Sequence, residues 1–218
     1  MKKLIILLFI LFAVYNVQAQ LTNTKWKGAL RIDDSPEVIF DFGKDILKIY
    51  MYSNSATIEN MTYTVTDSAF TLKKIEGQSD CDNEVLGKYK FGIKDNELSV
   101  KLLADDCSDR SSALNDTKWT KFEWPAEVEV DETVLKQYPG VYAMDDQHKI
   151  TISFENGRLM ADSQTNLVTK TALYATSNNK FLFHLGDISL EFIKGADGKV
   201  SKFIVHEAGK DYDWIKMK

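Results

Sequence analysis

Apolar and polar residues alternate along most of the chain after position 20. In Glu37-Val38-Ile39-Phe40-Asp41-Phe42, the residues Val38, Phe40 and Phe42 share one face. Residues 62–66, 89–93 and 98–102 alternate in the same way, and so do 149–154, 181–183, 189–192 and 202–205. Short period-two runs broken by turn residues predict half-buried antiparallel strands. Turn signals are clear at Lys94-Asp95-Asn96-Glu97, Glu155-Asn156-Gly157 and Gly195-Ala196-Asp197-Gly198. Helical periodicity is scarce. Residues 131–138 offer room for one or two helical turns, opened by a weak cap at Asp131.

The pattern repeats. A slide of 138 − 26 = 112 positions brings Trp26 onto Tyr138, Gly28 onto Gly140, Val38 onto Ile150, Phe42 onto Phe154 and Leu47 onto Leu159, without a gap. Asp33-Asp34 falls on Asp145-Asp146. The ends also match, Thr117-Lys118-Trp119-Thr120-Lys121-Phe122 against Tyr212-Asp213-Trp214-Ile215-Lys216-Met217. Two halves that open on aromatic-x-Gly and close on Trp-x-Lys read as two copies of one small fold, with a seam near Trp124-Pro125-Ala126. Strands that follow one another without crossover helices make meanders, and a meander hides its edges best by closing into a barrel. The expected fold class is all-β: two tandem small antiparallel β-barrels, over residues 20–124 and 128–218, with a pair of sandwiches as the alternative.

Residues 1–19 read as a secretory signal peptide. Lys2 and Lys3 precede an apolar run over 4–14, and Val17-Gln18-Ala19 supplies the small-x-small cleavage site. The run is too short to span a bilayer, which takes about 20 residues. The product is therefore expected to be exported, periplasmic or secreted, without a membrane span. In an oxidising compartment Cys81 and Cys107 would pair across a loop of 107 − 81 = 26 positions. Two free thiols, or a ligand or nucleophile role, are the other readings of these cysteines. The net charge of −5 becomes −5 − 2 = −7 once Lys2 and Lys3 are gone, and the remaining lysines are scattered. That argues against a nucleic-acid partner, which needs clustered Lys and Arg.

Several residues suggest families. Leu21, Lys25-Trp26-Lys27-Gly28, Tyr63, Cys81, Gly87-Lys88-Tyr89-Lys90-Phe91, Leu98, Asp105-Asp106-Cys107-Ser108-Asp109-Arg110 and Trp119 resemble the bacterial lipocalin-like domains over about residues 20–124. This resemblance implies a meander barrel with Cys81 bonded to Cys107. It also implies a plug in which Arg110 stacks on Trp26 beside Gly28, here in the order Trp-x-Gly. Leu135, Tyr138-Pro139-Gly140-Val141-Tyr142, Asn156-Gly157-Arg158-Leu159, Phe181, Phe192 and Gly198-Lys199-Val200 resemble the small barrel domain appended to beta-lactamase-like serine hydrolases. That resemblance covers about residues 131–218 and implies a small barrel domain; the second lipocalin-like barrel is expected over 128–218, with the aromatic-x-Gly opening of Tyr138 and Gly140 as its plug. The hydrolase domain itself has no counterpart in this sequence, and neither resemblance supplies a catalytic residue.

Candidate chemistry is sparse. Asp80, Asp82, Glu84, Asp105, Asp106 and Asp109 would meet on one rim if the cysteines pair, either as a solvated acidic edge or as oxygen ligands for calcium. Metal sites and cofactors are not expected, since the acidic spacing lacks the turn glycine of a calcium loop. Asp33-Asp34 and Asp145-Asp146 read as turn residues. His184 sits on an alternating run and faces either solvent or a ligand cavity. The candidate cavity lining is Phe40, Phe42, Ile49, Met51 and Tyr63 in the first half, and Ile152, Phe154, Phe181 and Phe183 in the second. A barrel of about eight strands is either filled by side chains or holds one small ligand. The expected function is a non-enzymatic exported binding protein for a small apolar or amphipathic ligand. The alternative is an envelope-associated protein-interaction module or hydrolase inhibitor with packed barrels. The partner is then a small hydrophobic molecule or an exported or envelope protein. The exported protein should start near Gln20 and weigh two hydrogens less than its reduced form. Intact mass spectrometry with and without a reductant checks both, and an unchanged mass on reduction would rule out the staple.

Overall fold

The computed structural model describes residues 21–163 and 170–217, so the leader expected over 1–19 lies outside the described residues. The chain divides into two compact units. One holds the residues up to Ile49 with Ile58–Lys121, the other Tyr50–Thr57 with Phe122–Lys218. The fold is all-β, two antiparallel barrels in tandem, one closed and one nearly closed.

The first barrel is an eight-stranded meander: β1 (Thr24–Ala29), β2 (Glu37–Phe42), β3 (Ile46–Met51), β4 (Thr57–Thr66), β5 (Ala69–Gly77), β6 (Leu86–Lys94), β7 (Glu97–Ala104) and β8 (Thr117–Phe122). Strands adjacent in the chain are adjacent in the closed sheet. The alternation turns one set of side chains inward, and Val38, Phe40, Phe42, Phe70, Leu72 and Tyr89 lose all exposure. Their rings form a connected aromatic core, with Phe40 stacked on Trp119 at 3.9 Å and Phe70 on Tyr89 at 5.7 Å. A short helix, α1 (Ser108–Leu114), interrupts the meander between β7 and β8.

The two strands that meet at the closure are entered through matching stretches, Leu21-Thr22-Asn23-Thr24-Lys25-Trp26 into β1 and Leu114-Asn115-Asp116-Thr117-Lys118-Trp119 into β8, both of the form Leu-x-x-Thr-Lys-Trp. The two copies use it identically. Asn23 (φ 58°) and Asp116 (φ 53°) take the left-handed conformation that turns the chain into the strand, a region asparagine and aspartate tolerate better than most residues. The threonine hydroxyl then donates to the leucine carbonyl, Thr24 to Leu21 and Thr117 to Leu114. It also accepts the indole N–H two residues on, at 2.8 Å for both Trp26 and Trp119. Each tryptophan is thereby buried with its one donor satisfied. Closure also needs Gly28. A Cβ there would lie 2.6 Å from Trp119 Cε3 and 2.9 Å from the Lys118 carbonyl.

The second unit follows a four-residue helix, α2 (Glu132–Leu135), whose first turn is capped by Asp131, the side chain accepting the Thr133 N–H at 2.7 Å. Its described strands are β9 (Gly140–Ala143), β10 (Lys149–Glu155), β11 (Arg158–Ser163), β12 (Thr171–Ala172), β13 (Tyr174–Ala175), β14 (Lys180–Leu182), β15 (Ser189–Lys194), β16 (Val200–Glu207) and β17 (Lys210–Lys216). They form one sheet in the order β12-β11-β10-β9-β17-β16-β15-β14-β13. Its two edges, β12 and β13, are one segment of chain divided by Leu173. Ala172 pairs with Met160 of β11, and Tyr174 pairs with Leu182 of β14. Leu173 donates its N–H to Leu159 at 2.9 Å and is buried. The sheet therefore nearly closes by letting one segment change partner at a single residue. The repeat holds in the strand frame: β2 and β3 begin at Glu37 and Ile46, and β10 and β11 begin 112 positions on, at Lys149 and Arg158.

Gly28→Ala should destabilise the protein by about 1–3 kcal/mol, the range for forcing a methyl into a packed core. Urea unfolding followed by tryptophan fluorescence reads this directly. Stability equal to the wild type would mean that the β1–β8 closure is looser than described.

Candidate functional site

The first barrel is filled at one end and open at the other. A cavity of about 640 Å³ lies at the open end beneath α1. Its floor is apolar, made by Ile49 of β3, Ile58 and Met61 of β4, Leu30 after β1, and Leu114 of α1. Buried Glu59 and Arg110 also line it, and its rim carries Arg31, Asp33, Gln78, Ser108, Asp109 and Ser112, all exposed.

Three ties hold α1 over this opening. Cys107, the residue before its first turn, is bonded to Cys81, with the Cα atoms 5.4 Å apart. Asp109 accepts the Asp80 N–H at 3.1 Å, joining the same two segments again. At the other end of the helix, the Ala113 carbonyl accepts the Arg31 N–H at 3.0 Å. Cys107 is therefore a staple between α1 and the 78–85 loop, both of which supply cavity walls.

Beneath the staple lies a buried ionic cluster. Arg110 grips Asp105 with two parallel bonds, Nε to Oδ2 at 2.6 Å and Nη2 to Oδ1 at 2.9 Å, and Nη2 also donates to the Val85 carbonyl at 3.1 Å. The two side chains keep 4% and 0% exposure. Asp105 accepts further bonds from the Tyr89 hydroxyl and from the Cys107 N–H at 2.9 Å. Burial pushes the Asp105 carboxyl up, but the bonds from Arg110, Tyr89 and Cys107 outweigh it and hold the group below its ordinary 3.8. The Tyr89 hydroxyl is pushed well above its ordinary value, first by burial and then by the carboxylate it donates to. Two glycines make room for the two buried carboxylates. A Cβ at Gly87 would meet Asp105 Oδ2 at 2.3 Å, and one at Gly77 would meet Glu59 Oε2 at 2.2 Å. Glu59 accepts the Ser79 hydroxyl at 2.7 Å and the Ser79 N–H at 3.2 Å, with Lys74 Nζ at 3.8 Å.

The residues singled out in the sequence fall in different places. Ile49 lines the cavity. Phe40 and Phe42 belong to the packed aromatic core, with Tyr63 edge-on to Phe42 at 5.2 Å and its hydroxyl donating to the Gly43 carbonyl at 2.6 Å. Met51 is half-buried at the hairpin tip, its N–H donating to Ala56 at 2.8 Å. Trp26 and Gly28 sit at the closure, whereas Arg110 makes its polar contacts with Asp105 and Val85. In the second unit, Ile152, Phe181 and Phe183 are buried and Phe154 is half-buried under the Lys136 ammonium, 5.3 Å from its ring. Tyr138 stacks on Phe192 at 4.2 Å and donates to the Asn178 carbonyl at 2.8 Å. Gly140 lies under Lys216, whose Cε would be 2.6 Å from a Cβ there. A hollow of about 420 Å³ in this unit takes Phe181 in its wall, beside Val130, Leu135, Leu173, Glu127 and Arg158.

His184 departs from the alternating strand expected for it. β14 ends at Leu182, and His184 has φ 51° with its ring stacked between Tyr174 at 3.6 Å and Trp124 at 4.5 Å. Burial lowers its pKa below the ordinary value. Asp145 serves its turn, Oδ1 accepting the Gln147 and His148 N–H groups, each at 2.8 Å. The acidic residues beside the disulfide edge a small hollow of about 230 Å³. Among the described residues no group of three or more His, Cys, Asp or Glu is placed to hold a metal ion. None of their helices is long and apolar enough to cross a membrane.

Sequence reasoning missed Glu59, Met61 and α1 itself as parts of the site. A signal for α1 was present: Ser108-Asp109-Arg110-Ser111-Ser112-Ala113-Leu114 breaks the alternation and places Arg110 and Leu114, four apart, on one buried side.

Known proteins add little. Residues 125–217, less than half of the chain, match a domain of unknown function, DUF3471. No curated protein matches the chain. Among solved structures, a candidate outer membrane protein from Bacteroides fragilis NCTC 9343 aligns over 92% of this chain and 99% of its own, at 11% identity and a TM-score of 0.18. A score that low carries no argument about this chain.

Asp105→Asn should cost about 3–5 kcal/mol at neutral pH, because it leaves Arg110 buried without its counter-charge. The folded pKa of Asp105 lies below 3.8. The stabilisation is therefore complete above about pH 4 and is lost as the pH falls through the folded value. Urea midpoints measured from pH 7 down to pH 2 should fall below pH 4 in the wild type and less in the variant. Parallel curves would remove Asp105 from the acid response.

Proposed function

We propose that this chain is an exported, non-enzymatic binding protein, and that its first barrel takes a small apolar or amphipathic molecule into the cavity beneath α1. One observation carries the reading. The barrel packs one end with aromatic rings, yet at the other it keeps about 640 Å³ over an apolar floor, under a helix fastened by a disulfide. That volume is within the roughly 300–1,000 Å³ typical of small-molecule sites. The lipocalin-like resemblance of the first half and the hydrolase-appended resemblance of the second agree with a pair of carrier or adaptor barrels. Export, to periplasm or medium, follows from the leader. The buried titratable groups favour binding over catalysis, since Asp105, Arg110 and Tyr89 are fastened to one another rather than presented to a substrate.

A second reading has its own observation. On the second unit Met144, Ile215 and Met217 are exposed apolar side chains on paired β9 and β17 or just beyond them. An interaction module of the envelope, or a hydrolase inhibitor, would use such a patch.

Native mass spectrometry of the exported protein, followed by organic extraction, separates the two. The carrier reading expects a co-purified apolar molecule in the wild type. It expects that molecule to be lost from Ala113→Trp, which adds bulk to the cavity wall on α1. An empty protein that takes up no apolar probe would sink the carrier reading and favour the interaction module.

A further inference from the structure

One side chain in the cavity wall has chemistry that the fold itself does not use up; this step rests on the carrier reading above and deepens it. Arg110 borders the cavity from α1 and is 5% exposed. Its guanidinium is a planar fork of N–H donors with no acceptor. Nε and Nη2 lie along one edge and donate to the two oxygens of Asp105, and Nη2 also donates to the Val85 carbonyl. Using that edge fixes the third nitrogen, because the fork is rigid. Nη1 stands at the corner turned away from the Asp105 carboxylate. It is buried there, and no protein group accepts from it. Among the described residues of the first barrel it is the one buried side-chain nitrogen or oxygen in that position.

A buried donor without an acceptor is costly, more so when the group is charged. The pairing with Asp105 accounts for a guanidinium at this place in the helix, but only for one edge of it. The cavity wall does not supply the rest. Leu30, Ile49, Ile58 and Leu114 carry no acceptor in their side chains, and the Glu59 oxygens accept from the Ser79 hydroxyl and N–H. The charged groups of the rim, Arg31, Asp33 and Asp109, are exposed. Solvent screening leaves such groups little to contribute. The polar contact that can single out a ligand therefore lies beneath the helix and not at the rim.

We infer that Arg110 is the polar anchor of this cavity. Nη1 donates to an oxygen acceptor, carboxylate or carbonyl, on the head of an amphiphile whose hydrocarbon body covers Ile49, Ile58 and Met61. One edge of the guanidinium fastens α1, and the opposite corner reads the ligand. Either oxygen suits it, since an ionised donor shortens and strengthens the bond. An ammonium head has donors only and cannot accept from Nη1.

Isothermal titration of the disulfide-intact protein with decanoate, decylammonium and 2-decanone, all below their aggregation limits, tests this. Decanoate should bind at least about tenfold more tightly than decylammonium. Bound 2-decanone should show its infrared carbonyl band at a lower frequency than in a hydrocarbon solvent, as a hydrogen-bonded carbonyl does. Arg110→Lys keeps a cation for Asp105 but removes Nη1, and should abolish both effects. If that variant folds poorly, nitrogen-15 spectra of the wild-type guanidinium groups decide: the Arg110 Nη1 signal should move with decanoate and 2-decanone and stay in place with decylammonium. Decylammonium binding as tightly as decanoate, or a bound ketone with the band it has in hydrocarbon, overturns the anchor. If Ala113→Trp excludes the same probes, the cavity reading stands without it. If none of the three probes binds, the carrier reading falls and takes this inference with it.

Discussion

The pair of Arg110 and Asp105 fixes where α1 lies, and the cavity depends on α1. A helix of seven residues has no stability of its own, since isolated helices below about 12–15 residues are marginal in water. It is a wall only because side chains fasten it to the barrel. Arg110 does so from within, reaching Asp105 at the end of β7 and the carbonyl of Val85. Tyr89 of β6 completes the same cluster. A buried ion pair rarely adds net stability over apolar packing, whereas breaking one is costly. Its effect here is positional: it allows one placement of the helix and penalises the rest. The disulfide works in the same direction by another route. It closes a 26-residue separation, for which chain entropy suggests roughly 3.5 kcal/mol, and it does so at the helix's own N-terminus.

The two units solve the edge problem of a meander differently. In the first, the end strands are entered through the same Leu-x-x-Thr-Lys-Trp pattern, and each copy satisfies its own indole and threonine donors. Neither tryptophan needs a partner from elsewhere, so Trp119 is free to lie flat across Gly28 and Phe40 at the closure. In the second, the sheet nearly closes where one segment changes partner at Leu173, whose side chain is buried in the core. These different closures sit on a shared frame, since β2 and β3 recur as β10 and β11 at a constant displacement. The register of central strands is strongly fixed because a slip of one residue would turn Val38, Phe40 and Phe42 out of the core.

What was readable in the sequence follows from this physics. Strands carry their burial in a period of two, so Val38-Phe40-Phe42 and Ile150-Ile152 announced both sheets and their frame. The staple was readable because compartment chemistry acts on cysteine wherever the fold puts it. The site was only partly readable. Ile49 was named because it alternates like any inward residue, and alternation cannot tell an inward residue that meets a ring from one that meets space. Phe42 and Ile49 look alike in the chain, and differ because Phe42 meets Phe70 and Tyr63 while Ile49 lies under the helix. Glu59 was invisible for the opposite reason. A lone glutamate in a strand reads as an outward residue, and the missing side chain at Gly77, the donors of Ser79 and the Lys74 ammonium make its burial tolerable. His184 misled through its neighbours. The alternation of 181–183 ran straight into it, but the backbone leaves the sheet at that point.

The division of the first barrel into a filled end and a hollow end has a simple cause. Eight strands enclose a space that large inward side chains can fill, and Phe40, Phe42, Phe70, Tyr89 and Trp119 do fill it where their strands converge. Towards α1 the inward residues are the narrower Ile49, Ile58 and Met61, which cannot reach across. A helix laid over that end covers the opening without supplying the missing apolar volume, since Leu114 is its one large apolar side chain there, beside Ser112, Ala113 and the Arg110 fastened to Asp105. Bulkier residues at these positions would have completed the core and added stability. Their absence leaves apolar surface facing a space reached only past the rim. The free energy to be gained over that floor is that of covering hydrocarbon.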